Sequence, residues 1–123
     1  MASIRGKNTA PEIVVRRLVR ALGYQYKMHA GDLPGTPDLV VRSQKKAVLI
    51  NGCFWHRHSC RFGRAFPATR VAFWRKKLEG NRSRDFRNAR ALRRLGWKVL
   101  VVWECQTRQP ARMLARIAAF LSA

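Results

Sequence analysis

Acidic residues are scarce in this chain: six Asp and Glu stand against 26 Lys and Arg, which gives a formal net charge of +20. Such an imbalance describes the partners of a protein more than its fold, because the positive field concentrates polyanions at the surface. Ribosomal and histone-like proteins share this property with nucleases. A lipid surface is a less favoured partner, because the basic residues are spread along the chain and do not line one amphipathic helix.

Long apolar runs are also missing. No run approaches the roughly 18 residues of a membrane span, and the first residues lack the apolar core of a signal peptide. We therefore expect a cytoplasmic protein without a membrane partner. Repeats, low-complexity segments and linkers are absent too, so residues 1–123 are predicted to form a single domain.

Cysteine is infrequent, and its count of three is odd. Two of the three lie with two histidines within residues 52–60, and no sign of secretion favours disulfides over metal binding. Three cysteines with one histidine are a common set for a closed tetrahedral Zn²⁺ site. The alternative for the last cysteine is a buried thiol at a strand end. The predicted structural zinc ligands are Cys53, His58, Cys60 and Cys105.

Hydrophobic periodicity predicts the order of helices and strands. A capping box at residues 9–12 and a stop at Gly23 bound a first helix, and residues 24–28 predict a half-buried strand that ends near His29. Residues 69–95 predict helix, either continuous or broken at Gly80. Residues 97–103 predict a central strand covered on both faces, and residues 110–121 a last helix. The fold class is therefore α/β, a small domain with a mixed central β-sheet flanked by helices.

Two short apolar runs, residues 38–41 and 47–50, predict a hairpin. Folding it about Gln44 and Lys45 places Asp38 opposite Asn51 or its neighbour Ile50. The carboxylate of Asp38 is thereby expected where the segment rich in cysteine and histidine begins.

Asp38 and His56 are the predicted catalytic pair. Mg²⁺ needs only one or two protein carboxylates, so a single aspartate can hold it against a phosphate. His56 is not needed to complete the zinc set, and a neutral histidine is the usual general base for activating water. The alternatives are that Asp38 is a turn residue after proline, and that His56 binds zinc in place of His58.

Several segments together resemble one family, the very-short-patch-repair (Vsr) mismatch endonucleases, relatives of the PD-(D/E)xK nucleases. The resemblance spans nearly the whole chain. The segments that carry it are residues 4–12, Asp32-Leu33-Pro34-Gly35-Thr36-Pro37-Asp38, Gly52-Cys53-Phe54-Trp55-His56, Phe73-Trp74, Arg84-Asp85, Gly96-Trp97 and Trp103-Glu104-Cys105.

The resemblance implies a restriction-endonuclease-like fold and a metal-dependent nick in double-stranded DNA, on the 5′ side of the thymine in a T:G mismatch. It implies that Asp38 holds Mg²⁺ together with the main-chain carbonyl of Ile50, that His56 is the general base, and that Glu12 and Asp85 are supporting acids. It also implies the zinc set given above. Phe54, Trp55 and Trp74 would form an aromatic wedge that enters the base stack.

These implied roles have physical support and plainer alternatives. Adjacent aromatic side chains can replace lost base stacking, and a mispaired step costs less to open than a matched one. As alternatives, Trp74 packs in the core beside Phe73, Glu12 only caps the first helix, and Asp85 forms a helix-surface ion pair.

Two features depart from the family pattern. Asn51 stands where many members have histidine, and an amide cannot donate a proton to a leaving oxygen, so we expect weaker acid assistance at this catalytic position. Only eleven residues precede Glu12, where members have a longer arm for the minor groove, so we expect either a truncated start or an altered grip on DNA.

Two other functions remain as alternatives. One is a zinc-stapled DNA-binding module without catalysis, and the other is a homing or restriction nuclease that cuts matched DNA. For the favoured function we expect a monomer that acts in the bacterial cytoplasm at the nucleoid, with mismatch-repair proteins as potential helpers.

Overall fold

A computed structural model describes residues 10–52 and 69–123, which contain three α-helices and four β-strands. The helices are α1 (Ala10–Ala21), α2 (Val71–Arg94) and α3 (Pro110–Ser122). The strands are β1 (Lys27–Met28), β2 (Leu39–Val41), β3 (Lys46–Asn51) and β4 (Lys98–Trp103). The predicted α/β class is confirmed. Among the described residues, no helix combines the length and the apolar character that crossing a membrane requires.

The four strands form one mixed sheet in the order β1-β2-β3-β4. The pairs β1–β2 and β2–β3 are antiparallel, and β3–β4 is parallel. The prediction that residues 97–103 form a central strand is therefore wrong in one respect, because β4 lies at the edge of the described sheet. The apolar run is explained by its packing, since Val102 belongs to the apolar cluster on one face and Val99 packs against the cluster on the other.

The two faces of the sheet carry separate cores. Helices α1 and α3 cover one face, where Val15, Val19, Met113 and Ile117 pack with residues of β2, β3 and β4. On the other face Leu92 of α2 packs with Val40 and Ala47. The helices thus enclose the sheet, as predicted.

Helix α2 is continuous through Gly80, so of the two interpretations the unbroken helix is confirmed. A single glycine inside a helix costs only about 1 kcal/mol relative to alanine, which the hydrogen bonds and packing of a long helix can offset. The predicted end is confirmed: Gly96 has φ +88°, and its amide donates to the carbonyl of Arg93 at 3.0 Å. The helix begins at Val71, after Arg70, two residues later than the predicted start at residue 69.

Lys46, the first residue of β3, is buried and connects the sheet to the end of α3. Its Nζ donates to the carbonyl oxygens of Phe120 (2.7 Å), Leu121 (3.0 Å) and Ala123 (2.9 Å). These are carbonyls at a helix C-terminus, where a cation is favourable. Burial and the nearby charge of Lys98 lower the pKa of Lys46. The sequence pattern had placed this lysine in a polar turn.

Candidate active site

Asp38 precedes β2 and contacts the backbone of β3. The hairpin pairs Leu39 with Val48 and Val41 with Lys46, two residues away from the register expected from a turn at Gln44 and Lys45. The difference arises because a 3-10 turn over Arg42–Gln44 and a left-handed Lys45 form the connection. The amide of Ile50 still donates to Oδ2 of Asp38 at 2.7 Å, so the predicted proximity of Asp38 to Ile50 is confirmed.

Glu12 and His29 lie beside Asp38. Glu12 is in the first turn of α1 and is only 3% exposed, and its Oε2 is 3.2 Å from Nε2 of His29. The amide of His29 donates to the carbonyl of Asp38 at 2.9 Å, just beyond the last register pair of β1 and β2, and the backbone of His29 is left-handed, with φ 53°. Sequence reasoning ended a strand near His29 but missed it as a site residue. Nothing in the local sequence marks this histidine. Its place in the site follows only from the pairing of β1 with β2, which brings it beside Asp38.

The donor atoms of these three side chains form one group. A carboxylate oxygen of Glu12, a ring nitrogen of His29 and a carboxylate oxygen of Asp38 all lie within 4.8 Å of one another. Carboxylate oxygens are the ligands that Mg²⁺ prefers, and imidazole nitrogen is accepted by transition ions. The donor set therefore fits a divalent cation, the identity of which the side chains leave open.

The carboxyl ends of β3 and β4 meet next to this group. The last residues of the two strands, Asn51 and Trp103, are register partners, and Asn51 is 8% exposed. Beyond Trp103 the chain enters a 3-10 segment, Glu104–Arg108, which contains the half-buried Cys105. The side chain of Gln106 accepts from the amide of Trp103 at 3.0 Å and from Arg116 of α3 at 2.8 Å, which secures this segment.

Trp74 and Asp85 lie on α2. Trp74 is half-buried near the N-terminus of the helix, and its ring meets that of Phe73 edge-on, with 5.4 Å between centroids and 83° between planes. Phe73 is 46% exposed, and the guanidinium carbon of Arg70 lies 4.4 Å from its ring centroid. Asp85 is half-buried further along the helix, and among the described residues the group around Asp38 does not include it.

Six predicted site residues lie outside the described residues. They are Cys53, Phe54, Trp55, His56, His58 and Cys60. The predicted zinc set, the general base and two of the three wedge residues therefore remain predictions.

Two contacts, at Asp32 and at Gly35, position the loop before Asp38. Arg42 donates to Oδ1 of Asp32 at 2.7 Å, an exposed ion pair that lowers the pKa of Asp32 through this hydrogen bond. Gly35 has φ +73°, and a Cβ atom there would lie 2.7 Å from Cβ of Asn88 on α2. Because only glycine permits this approach, the loop can pack closely against α2.

Comparison with known proteins agrees with the resemblance. The sequence model of the family described as DNA mismatch endonuclease Vsr matches residues 1–62. The type II nicking enzyme V.XorIIP of Xanthomonas oryzae pv. oryzae is 44% identical over 95% of this chain and 85% of its own length. V.NmeAIP of Neisseria meningitidis serogroup A, also a type II nicking enzyme, is 39% identical over 90% and 79%.

A third relative carries the family's name. The DNA mismatch endonuclease Vsr of Escherichia coli K12 is 40% identical over 88% of this chain and 69% of its own length. Three observations lead to one conclusion. They are identities of this size over most of both chains, the match to the family model, and the group of Glu12, His29 and Asp38 at the start of β2. The chain belongs to the Vsr family of DNA mismatch endonucleases and is an endonuclease that acts on DNA.

Proposed function

We propose that this endonuclease nicks one strand of duplex DNA on the 5′ side of the thymine in a T:G mismatch, and so initiates very short patch mismatch repair. The observation that carries the proposal is the position of Asp38, whose carboxylate lies within 4.8 Å of the donor atoms of Glu12 and His29, in a chain of this family. The net charge of +20 supports a polyanionic substrate.

The proposed Mg²⁺ ligands are Asp38 and the main-chain carbonyl of Ile50. The amide of Ile50 already donates to Oδ2 of Asp38. In an extended strand the N–H and C=O of one residue point to the same side. Because the amide of Ile50 points toward Asp38, its carbonyl is expected to point toward Asp38 as well. When bound, Mg²⁺ would neutralise charge on the phosphate and lower the pKa of a bound water. As a supporting acid, the buried carboxylate of Glu12 would offer the ion a further oxygen.

His56 is the proposed general base, and Asp85 a supporting acid. His56 follows Asn51 by only five residues in the chain, and Asn51 immediately follows the residue whose amide contacts Asp38. A base must come within hydrogen-bond reach of the water that it activates, so the short connection supports the assignment. Asn51 can donate and accept hydrogen bonds at this position but cannot act as an acid.

A structural zinc ion bound by Cys53, His58, Cys60 and Cys105 is the second proposed metal. Its support is the register at the end of the sheet, where Asn51 pairs with Trp103 in parallel strands. Cys53 and Cys105 each follow these partners by two residues in the chain. A closed site with thiolate ligands would connect the segment after β3 to the segment after β4, which stabilises a domain with a small core.

Mismatch selectivity is assigned to the aromatic residues Phe54, Trp55 and Trp74. Trp74 is half-buried next to an exposed phenylalanine, so this end of α2 presents aromatic surface. Inserting such side chains between bases costs unstacking energy, and that cost is smallest at a mispaired step.

A nicking assay tests this function. The zinc content of the full chain is measured first. The chain is then incubated with two DNA duplexes that are identical except for one base, so that one contains a T:G mismatch and the other a T:A pair. Each reaction is run with Mg²⁺ and with Mg²⁺ plus excess EDTA, and the nick is mapped to the nucleotide. We expect a Mg²⁺-dependent nick 5′ of the mispaired thymine in the T:G duplex alone. Equal cutting of both duplexes would identify a nuclease for matched DNA, and binding without nicking would identify a DNA-binding module.

A further inference from the structure

We propose that His29 is a ligand of the divalent ion at Asp38, so that the site binds transition ions such as Mn²⁺ more tightly than its two carboxylates alone would. The juxtaposition of His29, Glu12 and Asp38 carries this inference. It rests on the proposed function, since it takes for granted that a divalent ion binds at Asp38.

The backbone fixes His29 at this position. Strand β1 pairs Lys27 with Val40 and Met28 with Leu39, and the amide of His29 then donates to the carbonyl of Asp38 at 2.9 Å. The next amide, that of Ala30, donates to the carbonyl of Pro37 at 3.1 Å. His29 is thus held opposite Asp38 by hydrogen bonds on both sides of it, and its side chain is 27% exposed, open to an ion from solvent.

The donor atoms are spaced for coordination. Nε2 of His29 is 3.2 Å from Oε2 of Glu12, and the donors of all three residues lie within 4.8 Å of one another. Around an octahedral ion with bonds of about 2.1 Å, neighbouring ligand atoms are about 3 Å apart and opposite ones about 4.2 Å apart. Shifts of roughly half an ångström would therefore bring the three donors around one ion.

The ligand types set the expected preference. Mg²⁺ favours oxygen ligands and gains little from imidazole, whereas imidazole nitrogen suits the later transition ions and is also accepted by Mn²⁺. A site with two carboxylates and one imidazole should therefore bind Mn²⁺ better, relative to Mg²⁺, than the same site without the imidazole. Removing the imidazole should lower the affinity for Mn²⁺ far more than the affinity for Mg²⁺.

The experiment measures metal binding directly, without DNA. The full, zinc-loaded chain is titrated with Mn²⁺ and followed by electron paramagnetic resonance, with Mg²⁺ affinity obtained by competition. Pulsed measurements then detect coupling between bound Mn²⁺ and a ligand ¹⁴N nucleus. The variants are His29→Gln, which keeps a polar side chain of similar length, and Lys27→Gln, a control at an exposed position in β1, two residues before His29.

We expect His29→Gln to lose the nitrogen coupling and to bind Mn²⁺ about tenfold more weakly, while its affinity for Mg²⁺ changes less than about threefold. The control Lys27→Gln should match the unmodified protein in all three measurements. Persistent nitrogen coupling in His29→Gln, or an equal loss of affinity for both ions, would overturn the inference. If circular dichroism shows that His29→Gln does not fold, the test is made on the unmodified protein. Absence of nitrogen coupling to Mn²⁺ in that protein overturns the inference by itself. A protein that nicks T:G duplexes with Mg²⁺ but lacks this coupling would retain the proposed function and lose only the role of His29.

Discussion

The substitution Asp38→Asn separates the proposed catalytic role of this residue from its structural one. The amide keeps the size of the side chain, and its oxygen can still accept the hydrogen bond from Ile50, which Oδ2 of Asp38 accepts at 2.7 Å. What disappears is the negative charge that would bind the metal ion. We expect the Mg²⁺-dependent nicking rate to fall at least about 10³-fold, equivalent to about 4 kcal/mol of activation free energy.

The same substitution should stabilise the protein without Mg²⁺. A carboxylate oxygen of Asp38 and one of Glu12 are no more than 4.8 Å apart, and two ionised carboxylates at that distance repel by about 3.5 kcal/mol at an effective dielectric constant of about 20. The imidazole of His29, 3.2 Å from Glu12, offsets part of this repulsion. The hydrogen bond from Ile50 to a neutral acceptor is weaker by about 1–2 kcal/mol. The free energy of unfolding should therefore rise by about 1 kcal/mol, and Tm by roughly 4 °C.

Two measurements on one pair of variants check both expectations. A nicking time course on a T:G duplex gives the rate, and thermal unfolding in magnesium-free buffer gives the stability. The control is Asp32→Asn, the same exchange in the loop before Asp38. The carboxylate of Asp32 forms an exposed ion pair with Arg42, and surface pairs of this kind contribute little to stability, so both readouts should stay nearly unchanged. The reasoning is refuted if Asp38→Asn nicks at more than a tenth of the normal rate, or if it unfolds at a lower temperature than the unmodified protein.

Three further predictions concern other residues. Lys46→Met removes three hydrogen bonds to carbonyls at the end of α3 and should lower the free energy of unfolding by about 2 kcal/mol. The control Lys98→Gln, at the neighbouring exposed position, should not lower it. Denaturant titration measures both. Asn51→His, next to the residue that contacts Asp38, should leave the nicking rate unchanged or raise it, and a large drop would contradict this. His56→Ala should abolish nicking with an unchanged zinc content, and zinc loss by metal analysis would mean that the roles of His56 and His58 are exchanged.

The helices and strands were largely predictable because their signals are local. Gly96 ends α2 in a left-handed conformation that other residues rarely adopt, and Pro110 begins α3 because its fixed φ suits a first helical turn. The sequence left the continuity of α2 at Gly80 open, and it did not predict that β4 lies at the edge of the described sheet. Both depend on which elements pack around them, and hydrophobic periodicity reports that a face is buried without identifying the neighbour.

The candidate site was predictable in part. A hairpin over residues 38–50 brings Asp38 to Ile50 even when the register differs by two residues, because each strand is short and the turn has little freedom. Glu12 was reached only through family resemblance, since its position in a capping box explains it equally well at the level of sequence. His29 was missed, because a single histidine at a strand end carries no pattern of its own.

The sequence alone determined the charge of this protein, its membership of the Vsr family and the proximity of Asp38 to β3, because composition, motif order and hairpin geometry act over short stretches of chain. Only the tertiary structure decided that Glu12, His29 and Asp38 share one site. Their positions depend on how α1 packs on the sheet and how β1 pairs with β2. Contacts between separate elements follow from strand pairing and side-chain packing across the whole domain, which no local pattern encodes.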